Sequence, residues 1–165
     1  MRTRSLLILL LLAGCAEGGT RPGGGVEPER GDAGLVPVVR VVDGDTLYVR
    51  RGGREESIRL IGIDTPEVPW YGGEAECFGD EAGRFTQRLL EGESVELELD
   101  RDRIDPYDRT LAYVYLDDGR MVNLLLVRQG YAVVSIFEPN DRYEERLRAA
   151  EDEARADGLG LWSAC

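Results

Sequence analysis

The sequence has 165 residues, of which 42% are hydrophobic and 32% are charged, a composition typical of one globular domain rather than a disordered chain. Its 20 basic residues are all arginine, and the absence of lysine and histidine excludes a histidine triad, a histidine-ligated zinc site and a lysine Schiff base. A site formed by carboxylates and a hard cation such as Ca²⁺ or Mg²⁺ remains possible for this chain. The formal net charge of −12 argues against a nucleic-acid partner, because proteins that bind polyanions usually carry a basic surface.

The first 15 residues, MRTRSLLILLLLAGC, have the pattern of an export signal. Two arginines precede an apolar run of signal-peptide length, too short to span a bilayer comfortably. The run ends in Leu12-Ala13-Gly14-Cys15, which resembles the bacterial lipoprotein signal (lipobox) and implies cleavage before Cys15 and lipid attachment to its thiol. The alternative is an ordinary secretory signal cleaved near Ala13 or Ala16. We therefore predict a signal peptide over residues 1–14 and an exported lipoprotein, anchored to the membrane on the extracytoplasmic side.

The composition changes at residue 35. Residues 15–34 predict a lipidated cysteine followed by a flexible Gly/Pro linker, whereas residues 35–165 carry the apolar patterns of a folded domain. Alternation in one predicted strand places Glu96, Glu98 and Asp100 on a solvated face. The predicted strands are Val36–Val42, Thr46–Arg50, Ser57–Asp64, Ser94–Asp100, Leu111–Leu116 and Tyr131–Phe137.

Apolar residues at helical spacing predict about three helices. They run from Phe78 to a stop at Gly92, over Val122–Gln129, and from the Pro139 turn to about Ala156. Asp141 and Glu144 stand in capping-box relation at the start of the last helix, and Arg101–Arg109 predicts a polar turn. These elements predict an α+β fold, a closed β-barrel with appended helices. The OB-fold, a five-stranded Greek-key barrel, is the natural candidate among several α+β folds.

The stretch from Val38 to Glu67 concentrates acidic residues at predicted strand ends. Acids beside Arg59 at the mouth of a sheet suit a divalent cation acting on a phosphate. Taken singly, each group has a structural alternative, since Asp43-Gly44-Asp45 is also a common turn and Arg59 also suits a surface strand. The four carboxylates are Asp43, Asp45, Asp64 and Glu67.

A set of motifs in this order resembles the staphylococcal nuclease (thermonuclease) family. The resemblance covers about residues 38–163 and implies an OB-fold barrel that cleaves DNA and RNA phosphodiesters with Ca²⁺. DGDT alone is a weak signal, and the ordered set at compatible spacing is a strong one. The motifs are VVDGDTLYV (41–49), IRLIGIDTPE (58–67), DPYDRTLAYVY (105–115), MVNLLLVRQGYA (121–132), EPN (138–140) and LW (161–162).

The resemblance assigns roles position by position. It implies a calcium site formed by the carboxylates of Asp45 and Asp64 and the main-chain carbonyl of Thr65. Asp43 would contact these ligands rather than the ion itself. The other three roles belong to the reaction: Glu67 orients or deprotonates the attacking water, and Arg59 and Arg109 grip the scissile phosphate. Guanidinium groups bind two phosphate oxygens at once and stabilise charge that builds in the transition state.

The chain departs from the family around the substrate. Tyr107 is retained, but Ser135 and Phe137 stand where the type enzyme has two tyrosines that pack on the nucleotide. Gly72, Gly73 and Pro106 stand where the family often has lysines near the phosphates. Phe137 can stack on a base but lacks a hydroxyl. We expect a higher KM, strong salt sensitivity and a preference for short or single-stranded substrates.

Two cysteines, Cys77 and Cys165, remain once Cys15 is lipidated. In an exported protein such a pair most simply forms a disulfide, although the type enzyme has none. The resemblance also implies a cis peptide before Pro139. In the loop after Glu67, Trp70 and Tyr71 are equally compatible with a substrate platform and with loop packing.

Three functions compete. The first is a membrane-tethered, Ca²⁺-dependent nuclease, acting as a monomer on DNA and/or RNA through a metal-activated water. The second is a non-catalytic nucleic-acid or protein-binding module on the same fold, as in eukaryotic relatives, which usually lose the carboxylates and arginines retained here. The third, a structural surface lipoprotein, rests on acidity alone.

Overall fold

The structure, a computed structural model, describes residues 34–68 and 74–165. The predicted signal peptide, Cys15 and all but the end of the linker lie outside the described residues, as do Trp70 and Tyr71. Within the described ranges, no helix has the length and apolarity needed to cross a bilayer. The elements are β1 (Val36–Val41), β2 (Thr46–Arg51), β3 (Arg54–Leu60), β4 (Gly62–Asp64), α1 (Gly79–Leu90), β5 (Ser94–Ile104), β6 (Thr110–Leu116), α2 (Val122–Arg128), β7 (Val133–Ser135), α3 (Glu144–Ala156) and α4 (Leu161–Ala164).

Five strands close into a barrel in the order β1-β2-β3-β6-β5, and β1 also pairs with β5. The pairs are antiparallel except β3 with β6, which run parallel with Ile58 opposite Thr110 and Arg59 opposite Leu111. The prediction of an α+β, five-stranded OB-type barrel with helices is confirmed. Buried apolar side chains fill the barrel and the layer under α2 and α3, among them Leu47, Val49, Ile58, Leu60, Val95, Val114, Leu126 and Leu147.

The sequence pattern misplaced the boundaries of three elements. The predicted strand Ser57–Asp64 breaks at Gly62, whose φ of 80° favours glycine, and β4 leaves the barrel beyond it. There β4 pairs with β7 in a separate two-stranded sheet, so the predicted strand Tyr131–Phe137 shrinks to three residues and lies outside the barrel. The predicted turn Arg101–Arg109 is shorter than expected, because β5 continues to Ile104, which pairs with Thr110.

The predicted solvated face of β5 was wrong. Glu98 is 4% exposed and Asp100 is 7% exposed, because the segment before α3 packs over them. Arg142 forms ion pairs with both carboxylates. The hydroxyl of Tyr143 donates to Glu98 at 3.0 Å, and that of Tyr113 donates to Asp100 at 3.1 Å. Each buried charge therefore has an opposite charge and a hydroxyl donor.

The start of α3 also differs from its prediction. The residue before the helix is Tyr143, and no side chain caps it. The N–H of Glu144 instead donates to the main-chain carbonyl of Asp141 at 3.0 Å, so the predicted capping box is absent. The peptide between Glu138 and Pro139 is cis.

Two long-range links fix the helices, one between α2 and the barrel and one between the start of α1 and the end of α4. Asn123 in α2 is fully buried; its side-chain oxygen accepts the Val114 N–H, and its amide donates to the Ile61 carbonyl, both at 2.9 Å. A disulfide joins Cys77, just before α1, to Cys165, just after α4. The first link holds the chain where β3 turns into β4, and the second holds the start of α1.

Candidate active site

The turn between β1 and β2 is shaped by Asp43. Its Oδ1 accepts the N–H groups of Asp45 at 3.0 Å and Thr46 at 2.7 Å, which folds the chain back within four residues. A Cβ on Gly44 would lie 2.6 Å from the Thr65 hydroxyl oxygen, so this turn and residue 65 approach as closely as only glycine allows. From the other side, Thr86 of α1 donates its hydroxyl to the Gly44 carbonyl at 2.7 Å.

Asp45 is the buried centre of the site, with 2% exposure. Its Oδ2 accepts the Thr65 N–H at 2.9 Å and the Thr65 hydroxyl at 3.0 Å. Its Oδ1 is paired with the Arg59 guanidinium and accepts the Thr46 hydroxyl at 3.3 Å. The end of β4 is thereby fixed to the β1–β2 turn, although the two segments are 20 residues apart.

Arg59 connects the two predicted metal carboxylates. Its side chain is 15% exposed, and besides Asp45 it bonds Asp64 from Nη2 to Oδ1 at 2.6 Å. The Asp64 side chain is 49% exposed, so one carboxylate is buried and the other faces solvent. Both converge on one guanidinium because β3 and β4 bring residues 59 and 64 back together across the Gly62 bend.

Arg109 is held by a loop between β5 and β6. Asp105 accepts the main-chain N–H groups of Tyr107 and Arg109 at 2.9 Å each, and its Oδ2 accepts Nε of Arg109 at 2.6 Å. Burial would raise the pKa of Asp105, but these hydrogen bonds from Arg109 and Tyr107 hold it below its usual value. Nη1 of Arg109 also reaches the Thr46 hydroxyl at 3.5 Å. The loop thus orients this guanidinium toward the β1–β2 turn.

Glu67 lies on the exposed rim of the site. Partial burial raises the pKa of its carboxyl, and the nearby Asp43 and Asp64 act in the same direction, against Arg59. Burial likewise raises the pKa of Asp43, opposed by its bond from the Thr46 N–H. Among the described residues, none makes a hydrogen bond to the Glu67 carboxylate. The group is therefore a carboxylate with a raised pKa that is open to water.

Two cavities meet around these residues. One of about 440 Å³ is lined by Arg59, Asp64 and Arg109 with an apolar side, and one of about 470 Å³ is lined by Glu67 and Arg109. Tyr107 borders both cavities, and Phe137 borders the one lined by Arg59 and Asp64. Their side chains are 80% and 75% exposed, so two aromatic faces are open beside the arginines.

The donor set suits a hard cation. Asp45, Asp64 and Thr65 offer only oxygen, which is what Ca²⁺ and Mg²⁺ prefer. The described residues contain no group of three or more His, Cys, Asp or Glu side chains arranged to hold a metal. The residues present therefore fit a cation that shares its coordination with water and substrate, rather than one enclosed in a protein cage.

The structure brings the predicted site residues into one region. Asp43, Asp45, Arg59, Asp64 and Thr65 form one connected network, and Glu67, Tyr107, Arg109 and Phe137 line the adjoining cavities. The sequence analysis missed Asp105, which stands in the motif DPYDR four residues before Arg109, at the spacing of a side chain that closes a turn. It also missed Glu76, whose carboxylate accepts the Glu67 N–H, because no local sequence pattern links the two residues.

Comparison with known proteins gives one answer. The family model described as staphylococcal nuclease homologue matches residues 57–164. A thermonuclease of Staphylococcus intermedius is 41% identical over 133 residues, which are 81% of this chain and 77% of that protein. A thermonuclease of Staphylococcus hyicus is 40% identical over 76% of this chain and 74% of that protein. Endonuclease YncB of Bacillus subtilis is 37% identical over 78% of this chain and 61% of that protein.

The matched region contains the second part of β3, the barrel strands β5 and β6, the helices, and the segments that carry both arginines. The alignments with the thermonucleases extend over most of both chains. The chain therefore belongs to the staphylococcal nuclease family and is a nuclease, a hydrolase that acts on nucleic acid.

Proposed function

We propose that the chain is a calcium-dependent nuclease that hydrolyses phosphodiester bonds of DNA and/or RNA by attack of water. The observation that carries the proposal is the pairing of Arg59 with both Asp45 and Asp64 on a cavity wall shared with Arg109. Two guanidinium groups and the carboxylate of Asp64 line one open cavity, and the buried carboxylate of Asp45 is paired with Arg59. These charges match those of a phosphodiester and a divalent cation.

The proposed cation site consists of Asp45, Asp64 and the Thr65 carbonyl. The family is known to need a metal, and oxygen ligands favour Ca²⁺. The bound ion would supply Lewis acidity toward the phosphate and toward the attacking water. Asp43 contributes by holding the turn that presents Asp45.

Glu67 is the proposed base. A carboxylate is a stronger proton acceptor when its pKa is raised toward the working pH, and burial together with Asp43 raises the pKa of Glu67. Its exposure leaves space for a water molecule between it and the phosphate. In a chain without histidine, a carboxylate is the natural group for this step.

Arg59 and Arg109 are the proposed phosphate ligands. Arg59 is paired with Asp64, and Arg109 is paired with Asp105. These carboxylates fix the guanidinium planes before substrate binds. Fixed donors stabilise the extra negative charge of the pentacovalent transition state without reorganising during the reaction. Tyr107 and Phe137 would stack on the bases next to the scissile phosphate.

The experiment is cleavage of single-stranded DNA and RNA by the purified chain with Ca²⁺, with Mg²⁺ and with chelator. We expect calcium-dependent cleavage that Glu67→Ala and Arg59→Ala each reduce by roughly 100-fold or more. Arg54→Ala, at the exposed start of the same strand, and Glu81→Ala, on the surface of α1, are matched controls that keep activity. Absence of cleavage by folded protein under every metal would replace this proposal with a non-catalytic binding module.

We also propose that the chain is exported, lipidated at Cys15 and held at the membrane on the extracytoplasmic side as a monomer. Its disulfide supports export, because such bonds persist mainly in oxidising compartments. Metabolic labelling with palmitate should mark the wild-type protein and not Cys15→Ala. Release of unlabelled wild-type protein into the medium would instead indicate an ordinary secretory signal.

A further inference from the structure

The chain that leaves the active site after Glu67 returns to it nine residues later. The N–H of Glu76 donates to the Glu67 carbonyl at 2.9 Å, and the Glu76 side chain accepts the Glu67 N–H at 3.0 Å. Both main-chain polar groups of Glu67 are therefore bonded to one residue. Because this pair fixes the backbone of Glu67, it also limits where the carboxylate can point.

The start of α1 packs directly against the same backbone. Gly79, the first helical residue, is buried, and a Cβ added there would lie 2.8 Å from the Glu67 carbonyl oxygen and 3.1 Å from that of Pro66. Side chains do not come this close to backbone atoms, so only glycine permits the approach. Glu67 is thus bonded on one side by Glu76 and supported on another by the helix start.

The disulfide lies next to this contact. Cys77 follows Glu76 directly and is bonded to Cys165, which follows α4. The helix α4 is attached in turn, because the Leu161 N–H donates to the Gly130 carbonyl at 2.9 Å. Both cysteines are exposed to solvent, so a small thiol can reach the bond. The disulfide therefore joins the residue beside Glu76 to the α4 segment, which is itself held by Gly130.

We propose that Glu76 is a positioning residue for Glu67, and that the Cys77–Cys165 disulfide holds Glu76 in place, so that a dithiol reductant lowers turnover. A reductant thiolate attacks one cysteine sulfur, which forms a mixed disulfide and releases the other cysteine as a thiol. The second thiol of the reductant then displaces the first cysteine from the mixed disulfide. The protein gains two electrons and two protons, and the reductant becomes a cyclic disulfide. The proposal rests on the role of Glu67 as base in the proposed function.

The first test separates turnover from binding. Glu76→Ala removes the acceptor for the Glu67 N–H and should lower kcat roughly 10- to 100-fold with little change in KM, because a misplaced base costs rate rather than affinity. Glu76→Gln keeps an acceptor oxygen and should restore most of kcat. Glu74→Ala removes the same charge from the same loop without removing a hydrogen bond, and should behave as wild type.

A double-variant cycle tests whether Glu76 acts through Glu67. In a Glu67→Gln background the base is absent, so Glu76→Ala should have no further effect on kcat. Equal losses from Glu76→Ala in both backgrounds would overturn the proposal. If Glu67→Gln itself were fully active, the proposed role of Glu67 as base would fail, and that result is distinct from an active, Glu67-dependent enzyme that tolerates Glu76→Ala.

The redox part is tested on the intact chain. Treatment with a dithiol, with alkylation and mass measurement to show that the Cys77–Cys165 bond is open, should lower kcat several-fold at a temperature where circular dichroism reports a folded protein. Cys77→Ser/Cys165→Ser should show the same loss without reductant and no further loss with it. Full activity of the reduced, folded wild type would overturn the role of the disulfide.

Discussion

At the scale of single residues, Asp45 shows that a carboxylate of the candidate site also stabilises the fold. Its carboxylate is buried and has four partners: the Thr65 N–H, the Thr65 and Thr46 hydroxyls, and the Arg59 guanidinium. A buried charge without partners is unstable, so removing any one of these donors weakens the whole arrangement. Loss of activity in a variant of this network must therefore be compared with its loss of stability.

The first prediction concerns the glycine of the β1–β2 turn. In Gly44→Ala the new methyl group would lie within 2.7 Å of three side-chain atoms of Thr65, which forces the turn away from β4. We expect a loss of about 1–3 kcal/mol in the free energy of unfolding, measured with urea. Gly34→Ala, where no atom lies within 4 Å, is the control and should be close to neutral. Equal stability of both variants would contradict the close approach.

The second prediction concerns the acid sensitivity of the Arg109 loop. Because the folded-state pKa of Asp105 lies below its ordinary value of 3.8, its carboxylate contributes stability that is fully present above that value. The contribution disappears as pH falls through the folded-state pKa. Wild type should therefore be more stable than Asp105→Asn near pH 7, and the difference should shrink below about pH 4, measured by urea unfolding. A difference independent of pH would contradict this assignment.

The sequence could indicate site residues only where a local motif carries them. DGDT and DTPE place Asp45 and Asp64 at strand ends, and the structure brings both onto Arg59. Glu76 carries no such signal, since its bonds to Glu67 are tertiary contacts between residues nine positions apart, beside the start of α1. Residues that support the site residues act through tertiary contacts, and sequence patterns alone do not reveal such contacts.

At the scale of elements, the break between β3 and β4 lies next to the candidate site and positions one of its residues. The Gly62 bend ends β3 and sends β4 to pair with β7, which carries Asp64 out of the barrel wall and back toward Arg59. The Gly52-Gly53 turn and the apolar residues over 57–64 predicted one continuous strand, because composition does not report a change of pairing partner. The buried acids of β5 escaped prediction for a related reason: the covering Arg142 lies more than 40 residues away.

The third prediction tests the support under this bend. Asn123→Ala leaves the Val114 N–H and the Ile61 carbonyl without their partner in a fully buried place. We expect a loss of about 2–4 kcal/mol in the free energy of unfolding, the cost of two unsatisfied buried groups. Gln129→Ala, exposed just after α2, is the control and should be close to neutral. A loss below about 1 kcal/mol would show that water or a shift of the backbone replaces the amide.

At the scale of the whole molecule, the disulfide is the longest covalent constraint on the described chain. It closes a loop with a sequence separation of 88 residues that contains most of the domain. The sequence predicted the pair from cysteine count and export, whereas the contact of the neighbouring Glu76 with Glu67 follows only from the fold.

The fourth prediction gives that constraint a magnitude. Cys77→Ser/Cys165→Ser should lower the free energy of unfolding by about 2–4 kcal/mol, chiefly because the unfolded chain regains freedom. Urea unfolding with and without a dithiol provides the control, since reductant should destabilise wild type and leave the variant unchanged. Equal stability of the oxidised protein and the variant would contradict this expectation.

The parallel pairing of β3 with β6 has a consequence for how activity appears during folding. Arg59 lies in this pair opposite Leu111, two residues after Arg109, so the two guanidinium groups meet only when strands some 50 residues apart have joined. Contacts this distant in sequence form slowly, because the intervening chain must first lose its freedom. Local helices can form earlier without creating any cleavage capacity. With Arg59 and Arg109 in their proposed roles, the first appearance of nuclease activity in a refolding experiment would time the closure of the barrel, and the enzyme's own reaction would serve as the probe.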